Sequence, residues 1–170
     1  MTTFDLRSIR LRGGDQHRAE VEVKLEPLVL GGQPYEPRPD PTPAELTVTR
    51  ASSGAVFELA FRVSLHGPCF RCLADAELPL SLHLREYQAT SPGDDEELRT
   101  EYLADDTLDL SAWARDAVAL ALPDKILCGP DCAGLCPVCG KDLNLEPHEH
   151  EESASDPRWA ALQSLRGDDV

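Results

Sequence analysis

The residues of this chain that are best suited to bind a metal or to react are its six cysteines and two of its five histidines. Two Cys-x-x-Cys pairs stand at Cys69/Cys72 and at Cys136/Cys139, and a His-Glu-His run follows the second pair. Tetrahedral zinc takes four thiolate or imidazole ligands, which proteins commonly supply as short-range pairs brought together by the fold. The spacing therefore predicts metal binding. The candidate ligands are Cys69, Cys72, Cys128, Cys132, Cys136, Cys139, His148 and His150.

The segment around the second Cys-x-x-Cys pair has the composition of a zinc-binding turn. Pro137 fixes the backbone φ angle between the two thiols, and Gly140 permits a left-handed conformation directly behind Cys139. Two intervening residues allow such a turn to direct both sulfurs at one ion. The sequence predicts zinc as the cofactor, in a structural role, since each candidate site is closed by four protein ligands and leaves no position for water.

The spacing leaves open whether one or two ions are bound. A single ion would be held by Cys69, Cys72, Cys136 and Cys139. With two ions, the first would be held by Cys69, Cys72, Cys128 and Cys132, and the second by Cys136, Cys139, His148 and His150. The two histidines reach one ion if their segment is extended, which Pro147 favours by disfavouring helix before it. The alternative is that they belong to a solvated acidic tail.

Other functions for the cysteines are weighed against metal binding. A redox Cys-x-x-Cys pair normally opens a helix after a strand, whereas Gly67 and Pro68 precede Cys69. Inert buried thiols would not explain the repeated pairing. The sequence contains no glycine-rich phosphate loop, no G-x-S-x-G and no H-E-x-x-H motif, so we predict that the protein is not an enzyme. A zinc-dependent RNA-processing enzyme and a thiol redox sensor remain the alternatives.

The elements that position these residues are predicted to be mainly strands. Alternating apolar residues predict antiparallel strands over 17–25, 44–50, 56–65 and 77–87, with loops over 31–42 and through the acidic stretch 91–109. In the strand over 56–65, one face is formed by Phe57, Leu59, Phe61, Val63 and Leu65. Helical patterns cover 111–122, capped by Asp109 or Ser111 with an apolar face of Trp113, Ala117 and Leu120, and 156–165.

These elements predict an α+β, mainly β fold. It is an antiparallel curved sheet or partly open barrel, with a zinc-stapled C-terminal segment and two short helices. We expect a β-rich domain over 1–125, a zinc-binding segment packed on it over 126–152, and a C-terminal helix and tail over 153–170.

The charge of the chain limits its partners. Its net charge of −15 repels phosphate, so the whole surface is unlike that of a simple nucleic-acid binder, and it favours a basic partner such as a ribosomal protein. Acidity that serves only solubility is the alternative. The cationic cluster of the chain is a candidate contact for ribosomal RNA, and it consists of Arg7, Arg10, Arg12 and Arg18. No apolar run predicts a signal core or membrane span, so we expect a cytoplasmic protein with reduced thiols.

Two segments resemble a known family. Cys69-Phe70-Arg71-Cys72-Leu73 is similar to its C-x-R-C-L motif, and the stretch from Ala119 to Asn144 resembles its second signature. This is the bacterial YceD family, also called domain of unknown function 177, whose closing helix resembles 156–162. The resemblance implies a ribosome-biogenesis role in the accumulation of 23S ribosomal RNA, through synthesis, processing or stability. It also implies the pre-ribosomal large subunit or a basic ribosomal protein as partner, and no catalytic residues. Many members carry Cys-x-Cys in place of His148-Glu149-His150.

Overall fold

Strands form most of the regular structure in the residues that the computed structural model describes, which are 1–91, 93, 95 and 98–150. The chain divides into two compact units, Met1–Cys132 and a second that begins at Ala133. The elements of the first unit are β1 (Thr3–Asp5), β2 (Gln16–Val23), β3 (Leu28–Leu30), β4 (Gln33–Arg38), β5 (Thr42–Arg50), β6 (Gly54–Pro68), β7 (Asp75–Ala89), β8 (Leu103–Ala104), β9 (Thr107–Asp109) and α1 (Leu110–Leu120), with a short 3-10 helix over Leu6–Ser8.

The main sheet is antiparallel and is organised around β6. One edge of β6 pairs with β7 along its whole length, from Gly54 opposite Ala89 to Pro68 opposite Asp75. The other edge pairs first with β5 and then with β4, while β2 extends the sheet beyond β5 and β3 extends it beyond β4. A second sheet has the order β1-β9-β8. Within the described residues, neither sheet closes into a barrel.

The predicted apolar face of β6 is confirmed as the centre of the core. Its alternating side chains are at most 5% exposed, and they are Phe57, Leu59, Phe61, Val63 and Leu65. The buried residues Ala44, Leu46 and Val48 of β5 stand opposite three of them across the antiparallel ladder. Burying one large aliphatic or aromatic side chain contributes roughly 1.5–3 kcal/mol, so this alternation fixes both register and face.

The prediction of a loop over 31–42 is wrong, because β4 lies within it. Two prolines hide the strand pattern, yet Tyr35 and Pro37 are buried while Glu36 and Arg38 are exposed. This alternation is that of a strand. Pro34 stands opposite Val29 and Pro37 opposite Leu65.

Two further boundaries differ from the predictions. The strand predicted over 56–65 is longer than expected, because β6 continues to Pro68 against the start of β7. The acidic stretch 91–109 is not entirely loop, since β8 and β9 lie in its second half. Leu108 of β9 stands opposite Phe4 of β1, and Leu108 is fully buried, so this short sheet is held by its own apolar contacts.

The helix predicted over 111–122 is confirmed as α1, which Asp109 caps by accepting a hydrogen bond from the Ala112 N–H at 3.0 Å. Its buried face consists of Leu110, Trp113, Ala114 and Val118. The placement of Leu120 on that face is wrong, because its side chain is 89% exposed. The helix predicted over 156–165 lies outside the described residues. No described helix is long and apolar enough to cross a membrane.

Candidate metal centre

Four thiols come together in the first unit at the ends of two loops. The Sγ atoms of Cys69, Cys72, Cys128 and Cys132 all lie within 4.8 Å of one another. Cys69 Sγ is 3.7 Å from Cys132 Sγ, and Cys72 Sγ is 3.5 Å from Cys128 Sγ. A tetrahedral zinc with Zn–S bonds of about 2.3 Å separates its sulfurs by roughly 3.8 Å. The six cysteines are free thiols, so the donor set fits zinc in both chemistry and spacing.

The first Cys-x-x-Cys pair lies in a tight turn between β6 and β7. The Cys69 N–H donates to the Ala74 carbonyl at 2.7 Å, and the Leu73 N–H donates to the Cys69 carbonyl at 3.0 Å. Leu73 has a φ of +62°, a left-handed conformation that a leucine rarely adopts. The Arg71 N–H points at Cys69 Sγ at 3.4 Å, which stabilises a thiolate there.

Two hydrogen bonds fasten this turn to the segment that carries the other pair of thiols. The Phe70 N–H donates to the Ile126 carbonyl at 2.8 Å. The guanidinium Nη1 of Arg71 donates to the Cys132 carbonyl, also at 2.8 Å. Arg71 thus bridges positions 61 residues apart in the chain and fixes the backbone of a candidate ligand.

The strand end that precedes Cys69 is anchored by an aromatic ring. Tyr35 of β4 is buried, and its hydroxyl donates to the Pro68 carbonyl at 2.6 Å. The ring packs directly over Gly67, where an added Cβ would lie 2.4 Å from Tyr35 Cδ1. Glycine at this position is therefore required by the close approach of the ring, which holds the backbone leading into the thiol turn.

Electrostatics in the first group favour a bound cation. Burial opposes ionisation of the Cys69 thiol, but the backbone N–H groups of Cys72, Arg71 and Cys128 outweigh it and lower the pKa of Cys69 to about 6. The neighbouring sulfur of Cys72 has the largest effect on Cys128 and helps to raise its pKa to about 12. Four thiolates at these separations repel one another, and a divalent cation removes that repulsion.

The second unit contains a second group of four donors. The ligand atoms of Cys136, Cys139, His148 and His150 lie within 4.8 Å of one another. Cys139 Sγ is 3.1 Å from His148 Nε2. The two imidazole rings meet edge to face with centroids 4.9 Å apart. Two thiols and two imidazoles are a common ligand set for structural zinc.

The turn that carries Cys136 and Cys139 is closed by backbone hydrogen bonds. The Cys136 N–H donates to the Lys141 carbonyl at 2.8 Å, and the Gly140 N–H donates to the Cys136 carbonyl at the same distance. Gly140 has a φ of +72°, as the sequence predicts for the residue behind the second sulfur. A bridge between Leu135 and Asp142 joins the two sides of this turn.

The orientation of His148 leaves one ring nitrogen for a metal. His148 Nδ1 lies 2.7 Å from the Glu146 carbonyl oxygen, which accepts a hydrogen bond from the protonated nitrogen. The proton on Nδ1 places the free lone pair on Nε2, the atom that faces Cys139. The same Glu146 is positioned by Lys141, whose Nζ lies 2.6 Å from its carboxylate.

The pKa values in the second group also reflect close donors. The backbone N–H of Cys139 is the main cause that lowers the pKa of Cys136 to about 6. The hydrogen bond to Glu146 is the main cause that raises the pKa of His148. Zinc binds deprotonated thiols, so the lowered pKa of Cys136 favours metal binding in this group.

Comparisons with known proteins identify the family. A family model described as "Large ribosomal RNA subunit accumulation protein YceD" matches residues 57–166. The chain belongs to the YceD family. Among curated YceD-like relatives, the uncharacterized protein Rv2926c of Mycobacterium tuberculosis is 37% identical over 128 residues, which are 72% of this chain and 61% of the relative. The uncharacterized protein YlbN of Bacillus subtilis is 31% identical over 100 residues, or 58% of either chain.

The chain spans between about half and three fifths of the length of the curated YceD relatives it matches. No solved structure matches it.

The grouping of donors in this YceD chain corresponds to the two-ion alternative of the sequence prediction, since each group combines the four ligands expected of one ion. Assignment of these eight residues as zinc ligands remains a prediction. In the predicted cationic cluster, Arg7 is paired with Asp5 at 3.0 Å, while Arg10, Arg12 and Arg18 are exposed on the surface. Contact of that cluster with RNA also remains a prediction.

Sequence reasoning missed three residues that position the donors. They are Arg71, Tyr35 and Glu146. The position of Arg71 between two cysteines was a visible signal, because a long cationic donor there can reach a neighbouring carbonyl. Tyr35 and Glu146 gave no comparable signal, since their partners depend on strand pairing and on a local turn.

Proposed function

We propose that this protein supports the accumulation of 23S ribosomal RNA as a non-catalytic binding protein, with structural zinc in each of its two donor groups. The observation that carries the proposal is membership of the family whose description names large-subunit ribosomal RNA accumulation. The two closed groups support a structural role, because each provides four protein donors and leaves no position for an activated water.

The first donor group supports a role for zinc in joining distant parts of the first unit. Cys72 and Cys128 are 56 residues apart in sequence. Closing a loop of that length costs roughly 4 kcal/mol by its logarithmic dependence on length. Structural zinc in finger peptides contributes about 10–16 kcal/mol at neutral pH. Zinc therefore offsets the loop-closure cost with a wide margin and keeps the segment after α1 on the end of β6.

The charge supports a basic partner. With a net charge of −15, the surface attracts Lys- and Arg-rich proteins and repels bare RNA over most of its area. The proposed partner is a basic protein of the large ribosomal subunit or a pre-ribosomal particle that displays one. A chain that holds such a protein during assembly would support the amount of 23S RNA without acting on the RNA chemically.

The test is to delete the gene and to measure 23S against 16S ribosomal RNA. We expect a lower 23S to 16S ratio, restored by the wild-type gene. We also expect His83→Ala to restore it, since His83 is exposed on β7 and outside both donor groups. A double variant Cys69→Ser/Cys72→Ser is expected not to restore it. An unchanged ratio on deletion would refute the proposed function.

A pull-down with the purified zinc-loaded protein tests the partner. We expect a basic ribosomal protein or a pre-50S particle to be retained at low salt and released at high salt, since screening weakens exposed charge contacts. Recovery of neither at low salt would contradict the proposed partner. Cleavage of 23S precursor RNA by the pure holoprotein would contradict the non-catalytic role.

A further inference from the structure

An apolar groove lies in the first unit where α1 ends beside β7. Its cavity volume is 330 Å³, and its lining includes Leu84, Tyr102, Trp113 and Leu120. The Tyr102 ring stacks on Trp113, with centroids 6.1 Å apart and an angle of 24° between the rings. Trp113 is buried, whereas the Leu120 side chain is 89% exposed. The groove thus has rigid aromatic residues and one large, solvated aliphatic side chain.

Within the described residues, folding gives no reason for the exposure of Leu120. The buried face of α1 is formed by other positions. A leucine that stays in water contributes little to stability, and covering it with a partner would recover the transfer free energy of its surface. An exposed aliphatic side chain beside a preformed apolar groove is typical of a docking surface.

Carboxylates surround this groove. Glu86 is part of its lining. The Tyr102 hydroxyl donates to Asp116 at 3.3 Å. Burial is the main cause that raises the pKa of Tyr102 to about 12, and the negative charges of Asp116, Glu101 and Glu86 raise it further. The local field is therefore negative, as those three carboxylates all act on the same hydroxyl.

The cations near the groove do not neutralise these carboxylates. Arg115 is already paired with Asp116 at 2.8 Å. Arg85 also lines the groove, but the two arginines are outnumbered by the three carboxylates of Glu86, Glu101 and Asp116. Among the described residues, neither Glu86 nor Glu101 forms an ion pair.

The end of α1 adds to the negative potential. The last turn of the helix contains no basic residue, and its last residue, Leu120, and the C-cap residue Ala121 both line the groove. The C-terminus of a helix carries a partial negative charge from its unpaired carbonyls, which favours a cation nearby. A Lys or Arg side chain from outside would supply that cation.

We propose that this groove docks a basic segment of a protein partner. An apolar side chain of the partner packs against Leu84 and Leu120, while its Lys or Arg side chains lie against Glu86, Glu101 and the end of α1. The proposal rests on the proposed function, because it specifies the surface through which the chain binds its basic ribosomal partner. RNA fits this surface poorly, since its phosphates would face unpaired carboxylates.

The test compares Leu120→Lys with Val29→Lys in the full-length, zinc-loaded protein. Val29 is a matched control, as it is 70% exposed on β3 and is not part of the groove. The probe is the protein mixture extracted from purified large ribosomal subunits, with each retained protein identified and quantified by mass spectrometry. Circular dichroism and zinc content are expected to be the same for both variants, since a lysine near the end of α1 suits the helix dipole.

We expect the wild type and Val29→Lys to retain the same basic protein, and Leu120→Lys to retain at least about tenfold less of it, since the change removes apolar contact and adds a repelling charge. The charge reversal Glu101→Lys is expected to weaken retention and its dependence on salt. Equal retention by Leu120→Lys and Val29→Lys would overturn the proposal. Binding of protein-free 23S RNA that Leu120→Lys abolishes would also overturn it, as would dimerisation of the chain through the groove.

The same variants separate the failure of this proposal from failure of the proposed function. If deletion lowers the 23S to 16S ratio and Leu120→Lys restores it fully, the groove is not the docking surface and the function stands. If deletion leaves the ratio unchanged, the proposed function fails whatever the groove binds.

Discussion

At the residue scale, the orientation of His148 in the second donor group depends on the proton of its Nδ1 atom. The Glu146 carbonyl accepts a hydrogen bond from the protonated Nδ1 of His148, and Nε2 faces the Cys139 thiol. A carbonyl that accepts a hydrogen bond from one ring nitrogen fixes the tautomer and orientation of a ligating histidine. The imidazole of His148 is therefore oriented in advance for the metal that we propose it binds.

Replacement of His148 by alanine is expected to remove one zinc ion without unfolding the first unit. Metal content should fall from about two ions per chain to about one, because three ligands and an open position bind structural zinc poorly. Elemental analysis after desalting measures the stoichiometry. His83→Ala is the matched control and should keep both ions. Two tightly held ions in the His148→Ala protein would show that His148 is not a ligand.

Arg71 is expected to affect how fast the first group loses zinc. Its guanidinium donates to the Cys132 carbonyl at 2.8 Å, and loss of this partly buried hydrogen bond should cost about 1 kcal/mol. Arg71→Ala should therefore release zinc from the first donor group about fivefold faster, as measured with a chromogenic chelator. This is the group that we expect to lose its zinc more slowly. Arg62→Ala, an exposed arginine of β6, is the control. Equal release rates for the two variants would show that Arg71 does not position the first donor group.

At the element scale, the end of β6 determines where the first thiol turn begins. Gly67→Ala would place a Cβ 2.4 Å from the Tyr35 ring, so we expect the free energy of unfolding to fall by roughly 1–3 kcal/mol. Gly13→Ala provides the control, because nothing lies within 4 Å of its added Cβ. Urea denaturation of the zinc-loaded proteins measures both. A Gly67→Ala protein as stable as Gly13→Ala would contradict the close packing of the ring.

The elements that sequence reasoning identified are those with uninterrupted periodicity. The central strand was predictable because apolar residues alternate from Phe57 to Leu65. Strand β4 was missed because Pro34 and Pro37 suggest a loop, and its pairing with β6 depends on residues distant in sequence. The exposure of Leu120 was not predicted, because helical spacing alone does not reveal which side of the last helical turn is covered by a neighbouring strand.

The donor groups were predictable in composition, since cysteine spacing of this kind has few other uses in reduced proteins. The number of ions was not predictable, because it depends on which loops meet in space. Cys128 and Cys132 are close to Cys136 in sequence, but the fold groups them with Cys69 and Cys72. Local spacing carries no information about a partner more than fifty residues away, such as Cys72 for Cys128.

At the scale of the whole molecule, the proposed zinc ions protect every thiol of the chain. All six cysteines belong to a donor group, so the zinc-loaded protein should react slowly with a thiol reagent, and a chelator should expose all six. The total number of reactive thiols is measured after denaturation in the presence of chelator. Fast reaction of either Cys-x-x-Cys pair before chelation, with disulfide formation under a mild oxidant, would instead support a thiol redox sensor.

The two groups should lose their zinc in a fixed order. Cys139 and His150 are exposed in the second group, whereas Cys128 is the exposed ligand of the first. Because water and chelator reach exposed ligands first, alkylation followed by peptide mapping should label Cys136 and Cys139 before Cys69 and Cys72. In His148→Ala, Cys136 and Cys139 should be labelled at once, without a zinc-release step. The labelling rate of Cys69 and Cys72 should stay unchanged. Simultaneous labelling of all four in the wild type would mean that the two groups do not hold their metals independently, and that the chain opens as one cooperative unit.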